Sequence, residues 1–253
     1  DQLISVQTCS EDDDVLLSSR GGKCIRFPVT DVRIFSGRDS KGVRGIRLDK
    51  GDDVMSMSVL SHVAAEVSDR DDYLQSSSAA KRLVGGDYTD RADDKAKDEG
   101  LAARLNEPVF AEMAANEQFI LTIVEDGFGK RTSAYDYRIS KRGGKGIASI
   151  DTKRGKKKTI PVVASFPVDS EDQLVMVSDN GQLIRCPVSG ISVVGRSTRG
   201  VTIFKVADGE RVVSVSSLSE DDEDDTAEGT EAEAETESGA ETEAATESEA
   251  EEE

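Results

Sequence analysis

The stretch QFILTIVEDGFGKRTSAYDYRISKRGGKGIASI, residues 118–150, decides how the rest of the chain is read. Apolar residues from Phe119 to Val124 lead into a turn at Gly127, and the basic pair Lys130-Arg131 follows. A second glycine-rich basic turn closes the unit at Gly146, 15 residues after Arg131. An apolar run bounded by glycine turns is the pattern of a hairpin and its return strand. The unit recurs. Arg185, preceded by Leu174–Val177 and the turn Asn180-Gly181, is followed at the same spacing by Gly200. Arg26 follows Gly21-Gly22, and Gly42 comes 16 residues later. A basic residue precedes each second glycine (Lys41, Lys145, Arg199), and a β-branched residue follows it (Val43, Ile147, Val201).

Self-similarity at a period of about 50 residues points to an all-β, propeller-like array of repeated blades, each relying on its neighbours to cover its apolar faces. Leu3–Val6 resembles the strand that closes the other copies, Val54–Met57 and Val212–Val215, so the chain reads as starting inside an array whose earlier repeats are missing. The expected division follows. Residues 1–60 hold a partial blade and a first complete one, and residues 118–218 hold two more. Residues 61–117, rich in Ala, Asp, Ser and Lys, form a helical or disordered insertion with two short helices near Ala79–Val84 and Val109–Asn116. Residues 219–253 form a disordered acidic tail. Pro28 and Pro187, each two residues after its arginine, mark strand ends. Lys153–Lys158, with five basic residues in six, reads as a solvated hairpin tip.

The net charge of -19 is local. The tail carries 18 acidic residues and no basic one, which leaves 33 acidic against 32 basic in residues 1–218. Without the insertion the repeats hold 20 acidic and 25 basic residues, so the repetitive part is the basic part. Aromatic residues are 4% of the chain and Trp is absent, which gives a base-stacking surface for single strands little to be built from. Phosphate recognition needs only Lys, Arg and backbone amides. The longest apolar runs have the length of a strand, and the first residues lack a basic-then-apolar signal, so no membrane partner is expected. Cys9, Cys24 and Cys186 are odd in number and widely spaced, as in thiols kept reduced. His62 is the sole histidine and has no nucleophile in a recognisable context. No Asp-x-Asp pair adjoins a strand, and Gly143–Gly146 lacks the spacing and the Ser/Thr of a nucleotide-binding loop. Neither a catalytic residue, a metal site nor a cofactor is therefore expected in this chain.

What the repeats do offer is cations on turns. In a closed array the same loop of every blade projects to one side, so Lys41, Arg44, Lys145 and Arg199 become neighbours in a basic belt. The full candidate DNA-binding set is Lys23, Arg26, Arg38, Lys41, Arg44, Arg47, Lys130, Arg131, Lys141, Arg142, Lys145, Arg185, Arg196 and Arg199. A curved belt neutralising duplex phosphates, spaced at about one charge per 1.7 Å of axis, bends DNA without reading bases. Glycines next to the cations let backbone N–H groups approach phosphate oxygens. The plainer reading is that these glycines serve the turn and the cations serve solubility. The coincidence of both in three copies favours the belt.

Gly129-Lys130-Arg131, Gly42–Arg47 and Val193–Val201 resemble the later repeats of the C-terminal domain of the DNA gyrase A subunit. The likeness covers 15–60 and 119–218, and the acidic tail is similar to that family's tail. The family's box, Gln-Arg-Arg-Gly-Gly-Lys-Gly, lies in its first blade. Ser140, Lys141, Arg142, Gly143, Gly144, Lys145 and Gly146 agree with it at five of seven positions, departing at Ser140 and Lys141, as expected for the corresponding loop of another blade. The resemblance implies a β-pinwheel of four-stranded blades, part of a type II topoisomerase that introduces negative supercoils into closed circular double-stranded DNA. It further implies ATP and Mg in the complete complex. The partners it implies are a second gyrase A chain and the gyrase B subunit, and the place is the bacterial cytoplasm with the chromosome. Tyr73, Tyr88, Tyr135 and Tyr137 match no catalytic tyrosine of that family. Two alternatives stand beside it, a propeller used as a protein-docking scaffold and the C-terminal domain of the topoisomerase IV A subunit.

Overall fold

In the computed structural model, which describes residues 3–85, 92–155 and 158–219, each sequence copy is an antiparallel sheet. The first holds β1 (Asp13–Ser19), β2 (Lys23–Pro28) and β3 (Val54–Ser61). After an insertion whose described residues form the α-helices α1 (Val67–Gly85), α2 (Ala92–Ala103) and α3 (Pro108–Ala115), the second copy begins with β4 (Phe119–Val124) and β5 (Phe128–Ser133). It continues through β6 (Ile147–Ala148), a hairpin of β7 (Lys153–Arg154) and β8 (Lys158–Thr159), and β9 (Val162–Val168). The third has β10 (Gln173–Ser178), β11 (Leu183–Pro187), β12 (Val201–Thr202) and β13 (Val212–Leu218).

The copies share their local irregularities as well as their strands. The hairpin turn after each first strand has a glycine at positive φ, Gly22 (82°), Gly127 (77°) and Gly181 (81°). Their N–H groups return to Ser19 O, Val124 O and Ser178 O, each at 3.0 Å. An L side chain at that φ would strain the turn. The ladder between first and third strands slips at equivalent places, Ser18/Ser19, Ile123/Val124 and Val177/Ser178. A bulge there bends and twists the blade.

The fourth strand of a blade comes from the next copy. β6 pairs with β2 (Cys24↔Ile147) and β12 pairs with β5 (Gly129↔Val201), giving the orders β3-β1-β2-β6 and β9-β4-β5-β12. The sheet of β11, β10 and β13 has three strands among the described residues. The corresponding run of the first copy, 32–49, forms no strand, and Ile34 on it is 90% exposed. Among the described residues no strand precedes β1 for that run to join. For the same reason the strand expected at Leu3–Val6 is not found: the segment is irregular, with Leu3 79% and Val6 77% exposed. Extended backbone without a ladder partner has nothing to hold it.

Two of the apolar clusters lie between blades. Leu16, Cys24 and Leu60 pack against Ile120, Ala134 and Tyr137 across the first interface. Leu121, Ile123 and Ala164 pack against Leu174, Met176 and Val212 across the second. β4, covered on both faces, is the nearly unbroken apolar run of the sequence for that reason. Pro28 and Pro187 end β2 and β11 as expected, and Lys153-Arg154 pair with Lys158-Thr159 as the β7–β8 hairpin, with Gly155 at positive φ, while Lys156 and Lys157 of the basic run lie outside the described residues.

The insertion is more ordered than its sequence suggests. α1 buries Tyr73, Ser76 and Ala79 at helical spacing, so its inner face is mostly small and polar and leaves no apolar stripe to read. The Tyr73 ring stands edge-on to Phe110 (5.9 Å) and to Tyr135 of the second blade (5.5 Å). Tyr135 Oη donates to Met113 O at 2.8 Å, and burial pushes that hydroxyl up to about 12. This seam fixes α1 and α3 to the blade body. The tail, from residue 220 on, and the segment 86–91 with Tyr88 lie outside the described residues.

Candidate nucleic-acid interface

The basic side chains sort by what the strand exchange does with them. Arg26 and Arg131, equivalent residues of β2 and β5, are buried. Arg26 donates to Ala134 O (2.9 Å), Ser61 O (3.1 Å) and the Asp14 carboxylate (2.8 Å). Arg131 donates to Ile191 O (2.8 Å), Ser189 O (3.2 Å) and Ser170 Oγ (3.0 Å). Each therefore clasps a carbonyl of the short helical turn, 134–136 or 188–190, that opens the next copy's loop region. Lys130 is fully buried, its Nζ donating to Gly195 O (2.8 Å) and Arg196 O. Burial pushes its ammonium down to about 7, with Asp136 opposing and Arg196 adding to the shift. The expectation that these three are exposed cations of a DNA-binding belt is corrected by the structure, which buries them as joints between blades.

The glycines are corrected in the same way. Gly146 (φ 69°) and Gly200 (φ 84°) lie where each loop crosses the preceding blade, and an added Cβ would come within 2.3 Å of Cys24 O and 2.2 Å of Gly129 O. They admit a close backbone crossing, so their presence does not require a phosphate. At Gly42, whose loop crosses no strand, a Cβ would meet nothing within 4 Å.

What remains is a chain of loops. Arg47 N–H donates to Gly144 O (2.8 Å) and Arg142 Nη1 to Arg44 O (3.2 Å), tying residues 44–47 to 142–144. Asp151 N–H donates to Thr198 O (3.1 Å) and Arg196 Nη1 to Ala148 O, tying 148–151 to 196–198. Consecutive loops are thus stitched in series, with Arg44, Arg47, Lys141, Lys145 and Arg199 exposed along them. Arg142 is half-buried and also holds Asp31 O at 2.7 Å. Lys23, likewise half-buried, is paired with Asp49, whose carboxylate is held low by Lys23 and, further off, by Lys145. Arg38 and Lys41 are exposed on 32–49, and Arg185 is exposed on β11, outside the stitched series.

The box-like loop encloses a cavity of about 280 Å³, lined by Ser140, Lys141, Gly144, Lys145 and Gly146 together with Cys24 and Arg138. Burial pushes the Cys24 thiol up to about 12, so it is not a nucleophile. Arg138 is a cation that the repeat pattern misses, because it adjoins no glycine and the pattern marks only cations that do. Among the described residues no group of three His, Cys, Asp or Glu could hold a metal ion. No described helix is long and apolar enough to cross a membrane.

Blades that lend a strand to their predecessor around shared inter-blade cores, with basic loops in series, define a propeller of the pinwheel kind. The family described as "DNA gyrase C-terminal domain, beta-propeller" matches residues 13–61, 118–155 and 172–219, more than half of the chain, and the chain belongs to that family. It is 44% identical over 238 residues to the DNA gyrase A subunit of Rickettsia bellii, covering 93% of this chain and 25% of that protein. Against the DNA gyrase A subunit of Escherichia coli K12 it is 33% identical over 238 residues, covering 93% and 21%. The chain thus spans about a quarter of the length of the curated relatives it matches. Among solved structures, the C-terminal domain of DNA topoisomerase IV superposes with a TM-score of 0.57 at 14% identity, over 88% of this chain and 52% of that one. A DNA gyrase A C-terminal domain gives 0.52 at 22% identity, over 82% and 51%. These two likenesses concern the fold.

Proposed function

We propose that this chain is the part of a gyrase A subunit that binds duplex DNA and bends it along the blade rim. The observation that carries this reading is the stitched series of loops, which keeps Arg44, Lys141, Lys145 and Arg199 exposed on adjacent blades. Phosphates of a duplex laid along the rim meet these cations in turn, and release of condensed counterions drives the association without reading sequence. The buried joints make the rim stiff enough for the duplex, and not the protein, to take the bend.

The wider activity belongs to a larger assembly: ATP-driven introduction of negative supercoils by a type II topoisomerase of two A and two B subunits, acting on the bacterial chromosome in the cytoplasm. ATP and Mg are assigned to the complete complex. The Gly143–Gly146 loop packs on β2, with Gly146 against Cys24 O, and among the described residues no group of three His, Cys, Asp or Glu could hold a metal ion. The acidic tail, being part of the same chain, competes with DNA for the rim cations. Support for the gyrase reading over the topoisomerase IV alternative comes from the curated relatives, which are named as the A subunits of DNA gyrases.

The test is charge reversal of Arg44, Lys145 and Arg199 together. It should weaken duplex binding and lower the slope of log K against log salt by about 2.7, or about 0.9 for each lost contact. An unchanged slope rejects the rim as the DNA surface.

A further inference from the structure

A second cavity, of about 350 Å³, lies where the insertion meets the blades, and its lining includes Arg70 of α1, Arg138 from the box-like loop's approach, and Arg196 from the third blade's loop. Three arginines from separate parts of the chain thus line one cleft. The facing carboxylates are Asp71 and Asp136. Asp71 is taken by Arg70 itself, at 2.8 and 3.2 Å. Burial holds the Asp136 carboxyl above the ordinary range, with Arg196 and Lys130 opposing. Arg138 is exposed and makes no hydrogen bond among the described residues, and Arg196 Nε is buried without a hydrogen-bond partner. Planar donors with spare N–H groups around one cleft suit a tetrahedral oxyanion, which accepts from several of them at once.

Arg138 also lines the cavity of the box-like loop with Lys141 and Lys145. Two adjoining clefts therefore share one arginine, which links the basic lining at Lys141 and Lys145 to that at Arg196 and Arg70. We infer that the cleft between α1 and the blades is a phosphate seat for the DNA backbone, and that the helical insertion extends the rim's path through Arg70. The inference rests on the proposed function, since that reading supplies the polyanion, but it assigns a role to the insertion and to two arginines outside the glycine loops.

Arg70→Gln and Arg138→Gln, made separately in the full chain, test it by duplex binding over a salt series, with thermal melting as the control for folding. Each should weaken binding, lower the salt slope by about one and leave the melting temperature in place, because neither side chain is in a core. Unaltered slopes in both, alongside a reduced slope in the Arg44, Lys145 and Arg199 variant, overturn the seat and leave the rim standing. If that variant too is unaltered, the rim reading itself has failed. A rise in DNA affinity in Arg70→Gln overturns the seat and assigns the cleft to the chain's own acidic tail. Inorganic phosphate that raises the melting temperature of the wild-type chain at millimolar level, but not that of Arg70→Gln, while both bind DNA alike, overturns it in favour of a free anion.

Discussion

Replacing Lys130 by Met isolates the most unusual group in the molecule. Met keeps the length and apolar bulk of the stem while removing the ammonium that faces Gly195 O and Arg196 O. Lys130 titrates near 7 in the folded protein, against an ordinary value of 10.5. Between those values the unfolded chain binds more protons than the folded one, so the lysine's penalty on folding is full below about pH 7 and fades as pH rises. One proton corresponds to about 1.4 kcal/mol per pH unit. From about pH 7.5 to about pH 9.5 the wild-type protein should therefore gain about 2.5 kcal/mol relative to Lys130→Met. Urea unfolding of both proteins across that range measures it, and the contributions of groups common to both cancel in the difference. The buried tyrosines Tyr135 and Tyr137, whose hydroxyls burial pushes up, lose stability only at higher pH. A difference that stays flat across the range refutes the reasoning and means that Lys130 holds its proton in the fold.

Gly146→Ala and Gly200→Ala should each cost at least about 2 kcal/mol in thermal or urea unfolding, from a left-handed backbone plus overlap with a carbonyl oxygen. Gly42→Ala should leave stability unchanged, because its Cβ has open space. Arg26→Met leaves the fully buried Asp14 carboxylate, among the described residues, with His62 alone at 3.0 Å, and should lower unfolding free energy by about 3–5 kcal/mol. Deleting 219–253 should raise duplex affinity at low salt, and equal affinity with and without those residues sinks the competition idea.

The repeats, their hairpin turns and the propeller class were legible because they rest on residues close in sequence: an apolar run, a glycine at a tight turn, a basic residue at fixed spacing. The insertion was half legible. Pro108 announced α3, but α1 packs with Ser76 and Ala79, residues that carry no apolar signal. Helix docking by Tyr73 on Tyr135 joins positions far apart in the chain, and nothing local marks that pair.

For the site, the loops that carry cations and glycines could be read from the chain alone, because both are chemical properties of the residues. Which cations are free to meet a phosphate was decided only by tertiary structure. Arg131 and Lys130 stand next to each other on β5 and look like surface charge. They are buried because the next copy's loop, some 60 residues on, lays its carbonyls against them. An ammonium or guanidinium goes wherever its hydrogen-bond acceptors are, and here the acceptors belong to the neighbouring blade.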